Sequence, residues 1–261
     1  MMKFALLLMS ALCLQAQLPV PLATAANFAV LAGSTVTNTG ASVVSGNLGL
    51  SPGTSVTGFP PGTVTNGTQH VADAVAAQAE SDVTTAYGNA STRPCPGPPM
   101  PGDIGGTVIT PGVYCNSTSV GITGTVTLSG NASSVFIFQI GSTLTTAAGN
   151  SVVLLSGGVL PSNVFWQVGS SATLGTNTTF NGTIMAQDSI TVNTGAALYG
   201  RALARTGAVT LADNAVEDPS ETPGGGPGTP APPSLILVML ALVLTAAYVK
   251  RERLVRPFSR S

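Results

Sequence analysis

The sequence holds little charge. Lys, Arg, Asp and Glu together make up 7% of its 261 residues, where soluble domains average about 25%. Sulfur and rings are scarce too, with 3 Cys, 1 His, 1 Trp, 4 Tyr and 8 Phe. Each shortage removes a class of function. Between residues 17 and 233 only Arg93, Arg201 and Arg205 stand against nine acidic residues, a balance of −6, which excludes a nucleic-acid partner. With one histidine, a Ser/His/Asp triad would have to use His70, and nothing near it suggests a nucleophile elbow. His70 reads as a capping or surface residue. Asp188 and Asp213 lie in repeated segments, but carbohydrate-cleaving β-helices gather several acids and a base on one face. Here the nearby bases are only Arg201 and Arg205. No enzyme is read from this pattern.

Three cysteines leave little room for metal chemistry. Cys13 falls within the apolar start of the chain, and Cys95 and Cys115 have no His or Cys at ligand spacing, so zinc is not expected. In an exported domain such a pair reads as a disulfide. No cofactor is expected.

Both ends read as addresses. Residues 1–16 have a basic start and a short apolar run, the layout of a secretory signal peptide. Residues 222–233 form a Gly/Pro linker that cannot build a core. In the tail, 234–261, an apolar stretch of 15 residues from Leu235 to Val249 precedes Lys250, Arg251, Arg253, Arg256 and Arg260. It reads as a short anchor with a cytoplasmic basic end. It also resembles the sorting tails that bacterial exosortases remove, with "PAPPS" in place of Pro-Glu-Pro. Either way the middle of the chain is expected outside the cell or attached to its surface.

What is present in 17–221 is Thr, Ser, Asn, Gly and Ala. Short strand-like runs such as "FAVLAG" and "STVTNTG" fill 27–68, punctuated by Gly, Asn and Pro. In "QHVADAVAAQAESDVTTAYGNA" the residues Val71, Val75, Ala79, Val83 and Tyr87 recur every fourth position. That periodicity predicts one helix over about 69–87, with a small-residue stripe formed with Ala72 and Ala76. Beyond a Pro-rich connection the strands resume. "SVFIFQIGS" is close to "NVFWQVGSS", and "TIMAQDSITV" is offset by 18 or 19 residues from "RALARTGAVTL". Such recurrence, with Gly/Asn corners, marks a solenoid. Three strands per coil, as in "TIMAQ", "SITVN" and "AALYG", suggest a triangular section; a β-sandwich would want longer strands and hairpins.

Side chains alternate along a strand. In apolar–Thr–apolar triplets the apolar pair turns inward only if Thr turns out. That places Thr127, Thr173, Thr191 and Thr210 outward, Thr143 more weakly, and Thr35, Thr37 and Thr57 around Val36 and Val56. Stacked coils would rank them at the strand spacing of about 4.8 Å. A solenoid exposes some Thr in any case, because Thr suits strands. The lack of Lys, Glu and Arg is what sets this chain apart. A flat array of methyls and hydroxyls, stiff at χ1, would order water in a regular lattice.

"FNGTIMAQDSITVNTGAALYGRALARTGAVTL", with "NVFWQVGSSATLGTNTTF", "PGVY" and "NFAVLAGSTVTNTGASVVSGNLGLSPG", resembles the microbial ice-binding protein family. The resemblance covers nearly all of 25–217. It implies a right-handed discontinuous parallel β-helix with one long helix packed alongside, the first coils lying between later ones. It also implies a monomer, no cofactor and an ice crystal surface as partner, through one flat face near Ser34 and Thr35. The family's Thr-Ala/Gly-x-Thr/Asn corner survives only in degraded form, as "TAAN", "LGTN" and "LADN". The alternative is a cell-surface structural or adhesive solenoid.

Overall fold

The computed structural model describes residues 17–149 and 151–219. The signal peptide, the linker from 222 and the apolar tail expected from the sequence lie outside them. Among the described residues no helix is long and apolar enough to cross a membrane.

The strands form a triangular parallel β-helix. A 7-stranded sheet makes the front wall, and a 14-stranded sheet makes the other two. The front wall stacks Val120–Ile122, Leu144–Thr146, Ala172–Leu174, Ile190–Val192, Val209–Ala212, Thr35–Thr39 and Ser55–Thr57 in that order. The larger sheet bends between a side wall and a helix wall. Thr179–Ala186 and Ala197–Ala204 each run through that corner unbroken, with Gly182 paired to Gly200 at the bend. Gly182 sits at φ +112°, and a Cβ on Gly200 would lie 1.9 Å from the Gly182 carbonyl oxygen, so the corner excludes any side chain.

Coil order departs from chain order, as the resemblance implies, but not in the way it implies. The first coils do not lie between later ones. They sit at one end, beyond Val209–Glu217. One coil is shared by the two ends of the domain. Val209–Ala212 and Ala215–Glu217 supply its front and side walls, and Phe28–Ala32 completes it on the helix wall, paired with residues 202–204. Arg201 closes this seam. Its guanidinium donates to the Asp218 carboxylate at 2.7 Å and to the Ala26 carbonyl at 2.8 and 3.0 Å. The first strand therefore enters, and the last one leaves, on the corner between side and helix walls, opposite the front wall.

The interior is filled by inward files. Phe138 stacks on Trp166 at 3.9 Å and 10°, with Tyr114 and Phe180 on either side. On the helix wall both strand faces are covered. All five residues of Phe28–Ala32 and of Val164–Val168 are buried, because alternate side chains meet the core and the helix. Leu31, Leu203, Met185, Phe165 and Ile137 form a second apolar cluster with Ala79, Val83, Ala86 and Ala90. Each large side chain so buried stabilises the docking by about 1.5–3 kcal/mol.

That helix spans Ala74–Ser91, starting later than the expected 69 and ending beyond 87. Gln69–Val71 is instead a strand, paired with Leu48–Leu50. Ala72 turns the chain at φ 52°, and Asp73 caps the helix by accepting from the Ala76 N–H at 2.8 Å. His70 supports the cap through a 2.8 Å contact of its Nδ1 with Asp73, so it is a strand residue beside the cap and not the helix start. The buried stripe is Ala76, Ala79, Val83, Ala86 and Ala90, while Val75 is exposed. The stripe is made of small residues as expected, but rotated around the axis. At the far end the chain is joined by a disulfide between Cys95 and Cys115.

Candidate functional site

The front wall is a flat grid of small polar side chains. Its inward positions carry Val120, Leu144, Ala172, Ile190, Val209 and Val36, all buried. The residue following each must then point outward. Register aligns these outward residues into one file: Gly121, Thr145, Thr173, Thr191, Thr210, Thr37 and Thr57. Six consecutive rungs carry Thr at the same place. Two residues earlier runs a flanking file of Ser119, Thr143, Ser171, Ser189, Ala208, Thr35 and Ser55, placed by the same register. Rungs are about 4.8 Å apart and the two files about 6.7 Å.

No charged residue occupies these seven rungs, although Asp103, bridged to Gly121, stands in line with the central file just beyond its end. Asp213 lies at the corner, where its Oδ1 accepts the Ala41 N–H at 2.6 Å. Asp103 does the same for Gly105 at 2.8 Å, and that backbone bond holds its carboxyl below the usual range. Both carboxylates are engaged in turns. Among the described residues no His, Cys, Asp and Glu side chains gather into a metal-holding group. The grid offers a rigid two-dimensional repeat of methyl and hydroxyl groups and no reacting pair.

Residues 30–217 match the ice-binding-like family. The chain belongs to this family. An ice-binding protein of Nostoc sp. (strain HG1) is 48% identical over 237 residues, 89% of this chain and 87% of that protein. One of Colwellia sp. is 36% identical over 216 residues, 77% of this chain and 85% of the relative. Among solved structures, an ice binding protein from an Antarctic biological consortium superposes with a TM-score of 0.74 at 54% identity, covering 77% of this chain and 91% of that one. The ice-binding domain from Shewanella frigidimarina gives 0.72 at 32% identity, covering 77% and 97%.

Within this family member, the residues singled out from the sequence fall in different places. Thr37, Thr57, Thr173, Thr191 and Thr210 share the central file, and Thr35 and Thr143 the flanking one. Ser34 stands at the corner before the wall, its N–H bonded to the Gly207 carbonyl at 3.0 Å. Thr127 does not belong with them. It lies on the side wall, paired with Val108 and Leu154, because the chain has already turned at Gly124, φ +77°. An identical triplet can build either wall.

Thr145 is the residue that triplets miss. Its inward neighbour is Thr146, which is buried and bonded to the Thr178 hydroxyl at 2.7 Å and the Gly175 N–H at 2.8 Å. A satisfied hydroxyl stands where the pattern demands an apolar residue. Of the corner motifs, "TAAN" lies in the 3₁₀ turn Ala23–Asn27 before the first strand. Asn177 and Asp213, from "LGTN" and "LADN", do take corner conformations at φ 57° and 49°.

Proposed function

We propose that this protein binds ice through the front wall and so slows ice growth and recrystallisation. The observation that carries the reading is the six-rung Thr file, in register and free of charge. The ice-binding relatives support it. Stiff side chains on a hydrogen-bonded sheet pre-order water above them, so little ordering is left for the moment of adsorption. Adsorbed molecules force the ice front to bulge between them, which lowers the local freezing point. We read the protein as exported, held at the cell surface by its tail or released from it. The disulfide fits an oxidising compartment. Monomeric action and a non-enzymatic role belong to the same reading.

Ice-affinity partitioning of the purified protein tests it, with Thr191→Tyr and Thr210→Tyr beside the wild type. A ring at the centre of the grid should weaken adsorption by about tenfold, the scale of a central contact in an interface. Thr127→Tyr, on the side wall, should leave it unchanged. Exclusion of the folded wild type from ice would turn the assignment to the adhesive alternative. Equal losses from all three variants would discard the front wall as the binding face.

A further inference from the structure

The two files of the front wall are bonded differently. In the flanking file, serine hydroxyls accept backbone N–H groups from the next rung. Ser119 Oγ receives the Thr143 N–H at 3.3 Å, Ser171 Oγ that of Ser189 at 3.3 Å, and Ser189 Oγ that of Ala208 at 3.1 Å. In the central file, among the described residues, no threonine hydroxyl meets a backbone donor. The one bond inside it joins Thr37 and Thr210, hydroxyl to hydroxyl at 3.2 Å.

Those donors sit where each rung begins. There the chain comes off a corner and the regular ladder has not yet started, so an N–H would otherwise be left to water. A serine on the preceding rung ties it down and fixes the start of the next strand. The series belongs to the serines: among the described residues no such bond runs from the threonine hydroxyls of the file, Thr143 toward the Ser171 N–H or Thr35 toward that of Ser55, and at one rung there is no hydroxyl at all. Ala208 has no hydroxyl to offer to Thr35, the residue beside it on the next rung by the pairing of Val36 with Val209. That gap falls on the seam where the last coil meets the first, and the Thr37–Thr210 bond crosses the same seam.

We infer that Ser119, Ser171 and Ser189 are positioning residues that lock successive rungs in line, and that Ala208 leaves the lock open at the seam. The inference rests on the ice-binding reading for its purpose: serines hold the grid flat and threonines meet the ordered water. The hydroxyls that face ice are then those not already committed to the backbone.

Amide hydrogen exchange on the purified protein tests the locks without ice. Ser189→Ala should make the Ala208 amide exchange about fivefold faster, as loss of one ordinary hydrogen bond implies. Ser189→Thr keeps the hydroxyl and should restore the wild-type rate. Ala208→Ser should slow the Thr35 amide by about the same factor, and this gain survives even if the alanine variant folds poorly. In ice partitioning, Ser189→Ala should lose uptake and Ser189→Thr should keep it. An unchanged Ala208 rate in Ser189→Ala would overturn the inference, as would loss of ice uptake in that variant with exchange unaltered, since the serine would then be a contact. Failure of Ser189→Thr to rescue, or no slowing at Thr35, would overturn it too. If the exchange results stand and the wild type ignores ice, the locks hold and the ice-binding reading fails.

Discussion

Asp218→Ala is expected to cost the fold about 3–5 kcal/mol, the penalty for removing one partner of a buried ion pair. Asp218 and Arg201 are 3% exposed each, and their contact is 2.7 Å. Burial lowers the Arg201 pKa from its ordinary value and Asp218 opposes that shift, but a guanidinium stays charged in any practical buffer. Without Asp218 it would stand charged in the core, held by the Ala26 carbonyl and the Thr183 hydroxyl. The loss should lower the melting temperature by about 10 °C. It should appear in chemical denaturation as a shifted midpoint with unchanged slope. Replacing both residues together with apolar side chains should cost much less, because no charge is stranded. If Asp218→Ala melts with the wild type, the seam is not held by this pair.

The second large effect lies under the helix. Glu80 turns toward the sheet, and both its carboxylate oxygens are buried without a hydrogen-bond partner. Desolvation pushes its pKa up to about 8, and the Arg205 charge opposes the shift. Arg205 itself donates to the side-chain amide oxygen of Gln187 and lies 4.6 Å over the Tyr87 ring. A folded pKa above the unfolded one means that the native state holds the proton more tightly. The contribution to stability is therefore complete below about pH 4.5 and is lost as pH rises through about 8. Glu80→Gln should flatten this slope and stabilise the protein at pH 8 to 9 by about 1–3 kcal/mol, the cost of an unsatisfied buried group. At pH 4 the two proteins should melt alike. A wild-type melting temperature flat from pH 5 to 9 would mean that Glu80 finds a partner or water.

The solenoid and its three strands per coil were legible because corners and alternation are local. Thr173, Thr191 and Thr210 could be ranked because their coils repeat at 18 or 19 residues and follow one another in the chain. The same logic misplaced Thr127, since a triplet states which way a side chain points and not which wall it points from. It passed over Thr145 because a buried hydroxyl satisfied by Thr178 breaks the apolar pattern at Thr146. The helix start was read too early for a related reason. Val71 and Val75 keep a spacing of four, yet Gln69–Val71 is claimed by pairing with Leu48–Leu50. Stacking order depends on the seam at Arg201, where Val216 and the residues of Phe28–Ala32, 184 to 188 positions apart along the chain, build one coil; no window of sequence contains that. The flanking serines were readable as polar surface only, because their role depends on an amide of the neighbouring rung.

The last strand ends on the corner opposite the front wall, and this has a practical side. A second protein joined after Pro219 would extend from the back of the grid. Fluorescent labels, capture tags or multimerising scaffolds attached there should leave the threonine file unshadowed. Several copies could then be displayed on one particle with their grids facing outward, and a weak adsorber would gain by avidity what no single grid provides.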